Sequence, residues 1–151
     1  MLISEFLTPA DILPDLKATG KKQALQELAS FASERVGIED RAIFDVLVER
    51  ERLGTTGFGN GVAIPHGRMH SLDKLCMMFA RLESPVAFDA VDGRPVDLLF
   101  LLLTPENAGA DHLTALAKAS RILRDESLCA KLRGGENAEA IYSAILESEQ
   151  E

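Results

Sequence analysis

A histidine in a glycine-rich stretch is the residue of this sequence with the clearest chemical potential. His66 lies between Pro65 and Gly67, within the run Arg50–His70. The proline fixes the backbone just before the histidine, and Gly67 allows another surface to approach closely. The same run holds four further glycines, which let the backbone turn sharply and present its N–H groups: Gly54, Gly57, Gly59 and Gly61. This combination predicts an anion site that contains a nucleophile.

A phosphoryl group is the anion that suits this site. Neutral imidazole is a competent nucleophile near neutral pH, because its unperturbed pKa is about 6.5. Transfer between two such nitrogens requires mainly positioning and charge stabilisation. Arg50 and Arg68 flank the stretch and could neutralise the phosphoryl charge. We therefore predict that His66 carries phosphate, within a loop whose residues shape the turn or donate to an oxyanion: Thr55, Thr56, Gly59, Asn60 and Gly67.

Other interpretations of the stretch remain open at this point. It lacks the G-K-[ST] of a P-loop and the glycine order of a dinucleotide fingerprint. His66 and His70 are four residues apart, and a metal-dependent hydrolase would need them together with a third ligand such as His112 or Asp111. The flanking proline and glycine disfavour the helix that this spacing requires. In a pure interaction module, the loop would have no chemistry.

Composition limits the possible partners. The chain has 151 residues, of which 46% are hydrophobic and 26% charged, which predicts one globular domain over residues 1–151. A net charge of −8 and the absence of tryptophan disfavour nucleic acid and anionic membranes as partners. Cys76 and Cys129 match no metal spacing and are expected to be buried free thiols. We expect a cytoplasmic protein without membrane insertion, metal or cofactor.

Five helices are predicted: a short one around Ser127–Leu132, a last amphipathic one with Ala138, Ile141, Ile145 and Leu146, and three earlier ones with apolar positions at helical spacing. Each of these three follows a candidate N-cap: Thr19 for the helix that starts near Lys21 and ends at Gly37, Asp40 for the second, and Asp111 for the third. Gly54 marks the end of the second helix, so Arg50 lies on its last turn and points towards the glycine stretch. His112 lies in the first turn of the third helix.

The strand pattern completes an α/β fold. The run Val96–Leu103 is almost continuously apolar, which predicts a central strand covered by helices on both faces. Further strands are predicted at Ile12–Leu16, at an edge because of Pro14, and at Val62–Ile64 and Cys76–Leu82. These elements predict a mixed sheet between helical layers. Because Asp111 and His112 follow the central strand, they would lie near the loops where ligands of α/β proteins collect.

Two long motifs resemble a known family. The run G-T-T-G-F-G-N-G-V-A-I-P-H-G at 54–67 is similar to the phosphorylation-site signature of the fructose/mannitol-type IIA domains of the phosphoenolpyruvate-dependent phosphotransferase system. The run P-V-A-F-D-A-V-D-G-R-P-V-D-L-L-F-L-L-L-T-P at 85–105 resembles the same family, and most closely its nitrogen-regulatory branch. The similarity extends over essentially the whole chain.

The resemblance implies a fold, a reaction and site residues. It implies a mixed sheet of about five strands between helices, and a phosphotransferase component rather than a stand-alone enzyme. His66 would accept phosphate through Nε2 from a small histidine phosphocarrier protein. Arg50, sixteen residues earlier, corresponds to the phosphate-site arginine, with Arg52 as an alternative that the spacing disfavours, and His112 corresponds to the second active-site histidine.

The resemblance leaves two possible roles. A free-standing domain of this length fits the regulatory branch, in which the phosphorylation state of the histidine reports nitrogen, carbon or potassium status to target proteins. A potassium transporter or a kinase would be such a target. The alternative is a sugar-specific IIA component that passes phosphate to a IIB domain.

Overall fold

The computed structural model describes residues 1–149, which form a sheet with helices on both faces. Two 3₁₀ turns, Ile3–Glu5 and Pro9–Asp11, precede the first strand. The strands are β1 (Ile12–Leu16), β2 (Gly57–Gly59), β3 (Val62–Ala63), β4 (His66–Met69), β5 (Cys76–Val86) and β6 (Val96–Pro105). The helices are α1 (Lys21–Val36), α2 (Asp40–Arg52), α3 (Ala110–Arg124), α4 (Glu126–Gly134) and α5 (Ala138–Glu149).

The strands form one mixed sheet in the order β1-β5-β6-β3-β2, and β4 also pairs with β6. β1 is parallel to β5 and lies at the edge, as its proline predicts. β5 is antiparallel to β6, whereas β3 and β4 are both parallel to β6. β3 and β4 therefore follow one another along the same side of β6, interrupted at Ile64 and Pro65.

The predicted fold class is confirmed, with six strands where about five were expected. The additional pairing comes from the glycine stretch, which contributes β2 and β4 as well as the predicted β3. The prediction that His66 lies in a loop is wrong, because His66 is the first residue of β4 and pairs with Leu102. Strands of two to four residues carry too little alternation to be detected by pattern.

Strand β6 is buried on both faces, as its continuous apolar run predicts. Alternate side chains point to opposite faces of a strand. One face packs against α1 and α2 through Leu25, Leu28, Ile43, Leu47, Leu99, Leu101 and Leu103. The other face packs against α3, α4 and α5 through Leu98, Phe100, Leu102, Ala115, Ala119, Leu132 and Ile141. The central position of the strand thus follows from its sequence.

The helix ends are predicted better than the helix caps. α1 ends at Gly37, whose φ of 74° is the left-handed conformation that glycine adopts without strain. The predicted caps Thr19, Asp40 and Asp111 are wrong, since Gly20, Glu39 and Gly109 occupy the N-cap positions without a side-chain bond. Asp40 and Asp111 lie in the first turns instead, where a negative charge interacts favourably with the helix dipole.

Gly67 allows helix α2 to pack closely on strand β4. A Cβ atom at this position would lie 2.3 Å from Cγ1 of Val46, well inside van der Waals contact. The prediction that Gly67 permits a close approach is thus consistent with the packing of α2. This contact brings the helix that carries Arg50 against the strand that begins with His66.

We expect Gly67→Ala to destabilise the fold by about 1–3 kcal/mol, because the added methyl group would push α2 away from β4. Urea unfolding followed by circular dichroism measures the change. Gly134→Ala is the matched control: no atom lies within 4 Å of its added Cβ, so its effect should stay within about 0.5 kcal/mol. Val46→Ala should recover part of the loss in a double mutant, and equal losses in both backgrounds would contradict the steric explanation.

Candidate functional site

His66 is the first residue of β4, which follows β3 along the same side of the central strand β6. Leu102 N donates to the carbonyl oxygen of Pro65 at 3.0 Å, which holds the interruption against β6. The next residue, His66, resumes the parallel pairing. The imidazole is half-buried and therefore stays accessible to a partner.

Two hydrogen bonds define the protonation of the His66 ring. Its Nδ1 lies 2.7 Å from the carbonyl oxygen of Ile64, which can only accept, so Nδ1 carries the proton. Nε2 then holds the lone pair and accepts a hydrogen bond from Nε of Arg50 at 3.1 Å. The ring is thus neutral, with its nucleophilic nitrogen facing an arginine.

The surroundings of His66 favour this neutral form. Burial lowers the pKa of His66 below its ordinary value of 6.5, and the positive charge of Arg50 lowers it further. The hydrogen bond to the Ile64 carbonyl and the charge of Glu51 act in the opposite direction on this pKa. Because the net shift is downward, the lone pair on Nε2 is available at neutral pH.

Arg50 is anchored at the end of helix α2. Its Nη1 donates to the carbonyl oxygen of Gly54 at 2.9 Å, while its Nε faces His66. A guanidinium held in this way presents further N–H groups for an anion next to the ring. The alternative residue, Arg52, is exposed and pairs with Glu49.

His112 completes a group of three side chains. It lies in the first turn of α3, is 7% exposed, and its ring centroid is 5.7 Å from that of His66. Its Nδ1 is 2.7 Å from Oγ1 of Thr104, a fully buried residue near the end of β6. Burial, followed by the charge of Arg68, lowers the pKa of His112. The sequence analysis did not identify Thr104, since a threonine at a strand end carries no recognisable pattern.

The hydroxyl groups of the loop threonines have partners within the protein. Thr55 Oγ1 donates to the carbonyl oxygen of Phe88 and accepts from the amide of Gly57. Thr56 is buried, and both its amide and its hydroxyl donate to the carboxylate of Glu51. Whether either threonine contacts a phosphoryl group stays a prediction.

Gly59 is the last residue of β2 and Asn60 begins the turn between β2 and β3, away from the histidines. The amide of Asn60 donates to Asp92 at 2.9 Å. β3 begins opposite Leu98, whereas His66 lies opposite Leu102, and four strand residues span about 13 Å. The structure thus brings together Arg50, His66 and His112 but not this turn; a phosphate contact by Gly59 or Asn60 stays a prediction.

The third histidine is separate from this group. His70 is exposed and its Nδ1 lies 3.2 Å from a carboxylate oxygen of Glu106. Arg68 is also exposed and donates to the carbonyl oxygen of the same glutamate. Within residues 1–149, no three histidine, cysteine, aspartate or glutamate side chains are arranged to hold a metal ion.

Comparison with known proteins identifies the family of this chain. The family described as phosphoenolpyruvate-dependent sugar phosphotransferase system, EIIA 2, matches residues 5–148. The chain belongs to this family. A nitrogen regulatory protein of Bradyrhizobium diazoefficiens is 55% identical over 145 residues, which cover 96% of this chain and 95% of the relative. A nitrogen regulatory protein of Pseudomonas aeruginosa is 40% identical, with coverages of 96% and 95%.

Solved structures agree with this assignment. The crystal structure of nitrogen regulatory protein IIA-Ntr from Neisseria meningitidis superposes with a TM-score of 0.89 at 36% identity, covering 95% of this chain and 98% of that one. The resemblance to the IIA family and to its nitrogen-regulatory branch is therefore confirmed. In the part of the chain that the structure describes, no helix is long and apolar enough to cross a membrane.

We expect His66 to titrate below pH 6.5, because both its burial and Arg50 disfavour the imidazolium. Arg50→Ala should raise the pKa of His66 by removing the positive charge beside Nε2. Ring ¹⁵N and ¹H chemical shifts measured against pH determine this pKa and also report whether Nδ1 carries the proton. Arg52→Ala is the control and should leave the titration unchanged. A pKa above 6.5 in the wild type would contradict the prediction.

Proposed function

We propose that this protein is a phosphocarrier that accepts a phosphoryl group on Nε2 of His66 from a small histidine phosphocarrier protein. One observation carries the proposal: a neutral imidazole directs its only lone pair at the guanidinium of Arg50. A nucleophile and a group that can neutralise the charge of a phosphoryl group therefore lie next to each other. The protein acts in a chain of transfers, without turning over a substrate on its own.

The transfer step requires no proton movement at His66. The Nε2 lone pair attacks the phosphorus of the donor's phosphohistidine in line. A new N–P bond forms at His66 as the old one breaks, and its electron pair returns to the donor ring. Nδ1 keeps its proton, and the Ile64 carbonyl stabilises the positive charge that the phosphorylated ring acquires. Arg50 then donates to the phosphoryl oxygens, with His112 beside them.

Exposed apolar side chains next to the site support docking of a protein donor. Leu53, at the end of α2, is 85% exposed, and Leu113, the residue after His112, is 67% exposed. Apolar patches at the surface often mark contact sites for other proteins. Leu53 follows Arg50 by three residues and Leu113 follows His112 directly, so we propose that both belong to the surface that a donor contacts. They would exclude water around the transferring phosphoryl group when a donor binds.

We further propose a regulatory role for the phosphorylation state. Phosphate adds nearly two negative charges to a chain that already carries −8, so a partner with a basic surface distinguishes the two forms electrostatically. The names of the curated relatives support nitrogen regulation over sugar delivery. The proposed targets are regulatory target proteins, such as a kinase or a potassium transporter.

We expect acid-labile phosphate on the wild type, and none on His66→Ala, after incubation with phosphoenolpyruvate, the general phosphotransferase enzyme and a histidine phosphocarrier. Arg50→Ala should slow the transfer by about 10²- to 10³-fold, because a preorganised donor to the developing charge is lost. Arg52→Ala, on the same helix turn, is the control and should transfer normally.

Absence of label on the wild type, with both sugar-branch and nitrogen-branch carriers tried, would overturn the proposal. Label that moves on to a purified fructose or mannitol IIB domain would favour the alternative role as a sugar-specific component. Label that remains and changes the affinity for a regulatory target would support the proposed role.

We expect Leu113→Ser to raise KM for the phosphocarrier protein with little change in kcat, because it removes apolar contact area without touching the reacting atoms. The measurement is the rate of phosphoryl transfer as a function of donor concentration. Val91→Ser is the matched control, since Val91 is also exposed but lies on the loop that follows β5. Equal effects of both variants would contradict a docking surface centred on His66.

A further inference from the structure

Glu51 is a buried carboxylate to which the sequence analysis gave no role. Its side chain is 6% exposed, although it follows directly after Arg50 in helix α2. Oε1 accepts from the amide of Thr56 at 3.0 Å and from Nζ of Lys21 at 2.9 Å, and Oε2 accepts from the hydroxyl of Thr56. A charge at this depth is stable only when such partners compensate for its lost hydration.

These bonds join three separate parts of the fold. Lys21 is the first residue of helix α1, Glu51 lies in the last turn of α2, and Thr56 lies immediately before β2. Charge-assisted hydrogen bonds to both the amide and the hydroxyl of one residue hold that residue in a single orientation. The carboxylate therefore fixes the start of the glycine stretch relative to the end of α2.

The segment between Glu51 and Thr56 contains the carbonyl group of Gly54, which anchors Arg50. The carbonyl oxygen of Gly54 accepts from Nη1 of Arg50, while Nε of the same arginine faces His66. The position of that carbonyl group depends on the turn from Leu53 to Thr55. The hydrogen bonds between Glu51 and Thr56 hold the residues on either side of this turn together. The guanidinium can face Nε2 of His66 only while this turn keeps its shape.

We propose that Glu51 is a positioning residue for phosphoryl transfer, which holds Arg50 against Nε2 of His66 through its bonds to Thr56. This inference rests on the proposed function of His66. It assigns the effect of Glu51 to geometry: Lys21 pairs with the carboxylate, and Glu51→Gln keeps the hydrogen bonds while removing the charge that also acts on the pKa of His66. A displacement of a catalytic group by about 1 Å is enough to slow a reaction about a hundredfold.

The test compares variants of the full-length protein in the phosphoryl-transfer assay. Glu51→Ala should lower kcat by about tenfold to a hundredfold, with KM for the donor unchanged within about twofold. Glu51→Gln keeps an acceptor for the Thr56 amide and a donor for its hydroxyl, so it should restore kcat to within about threefold of the wild type. Glu49→Ala is the matched control, because this exposed glutamate on the same helix pairs only with Arg52 in the described residues.

A second measurement needs no phosphoryl donor. In the wild type, the Nε–H signal of Arg50 and the ring nitrogen shifts of His66 should report their hydrogen bond by NMR spectroscopy. Glu51→Ala should shift or broaden these signals, whereas Glu49→Ala should not. Thr56→Val removes only the hydroxyl contact and should produce the same changes to a smaller extent, which provides a test if Glu51→Ala does not fold.

A folded Glu51→Ala protein with the wild-type kcat, or with a change in KM alone, would overturn the proposal. Unchanged Arg50 and His66 signals in Glu51→Ala or Thr56→Val would overturn it as well. A wild type that takes up no phosphate would instead refute the proposed function, and the NMR comparison would still decide whether Glu51 positions Arg50.

Discussion

The hydrogen bond from Arg50 to Nε2 of His66 is the interaction on which the site depends. It can form only if the imidazole is neutral and protonated on Nδ1; the Ile64 carbonyl selects this tautomer by accepting a hydrogen bond from Nδ1–H, and burial favours the neutral form. The same arginine favours the neutral ring, because its charge lowers the pKa of His66. One contact therefore requires this tautomer, keeps the Nε2 lone pair available and places the group that, in the proposed function, would receive the phosphoryl charge.

The fold holds this contact from two directions. His66 begins a strand that pairs with the rigid, fully buried centre of the sheet, and Arg50 lies on a helix that packs against that strand across Gly67. Neither element alone brings the two side chains together. The interruption at Pro65 is equally important. If β3 continued without a break, side chains would simply alternate between the two faces of the sheet, and the carbonyl group of Ile64 would not face the ring of His66.

The fold was largely predictable from the sequence, because its strongest signals are local. The apolar run of β6 and the glycine after α1 each predict the local structure from a few neighbouring residues. His66 and Arg50 were singled out from the glycine-rich motif and from resemblance to the family, and the structure places them in contact. Thr104 and Glu51 were not, because each is an ordinary polar residue whose role arises only when distant segments bury it against a partner. The short strand β4 was missed for the same reason, as its pairing with β6 is entirely tertiary.

The electrostatics of the site differ from those of the whole chain. The protein carries a net charge of −8, which repels small anions from most of its surface. At the site, however, the N-terminal end of α3 carries a partial positive charge near His112, and Arg50 offsets the partial negative charge at the end of α2. A phosphoryl group on His66 would lie between the partial positive charge at the start of α3 and the positive charge of Arg50. The net negative charge of the chain disfavours the approach of free phosphate, whereas a docked protein donor would deliver its group directly. The charge distribution therefore favours transfer from a protein partner over uptake of phosphate from solution.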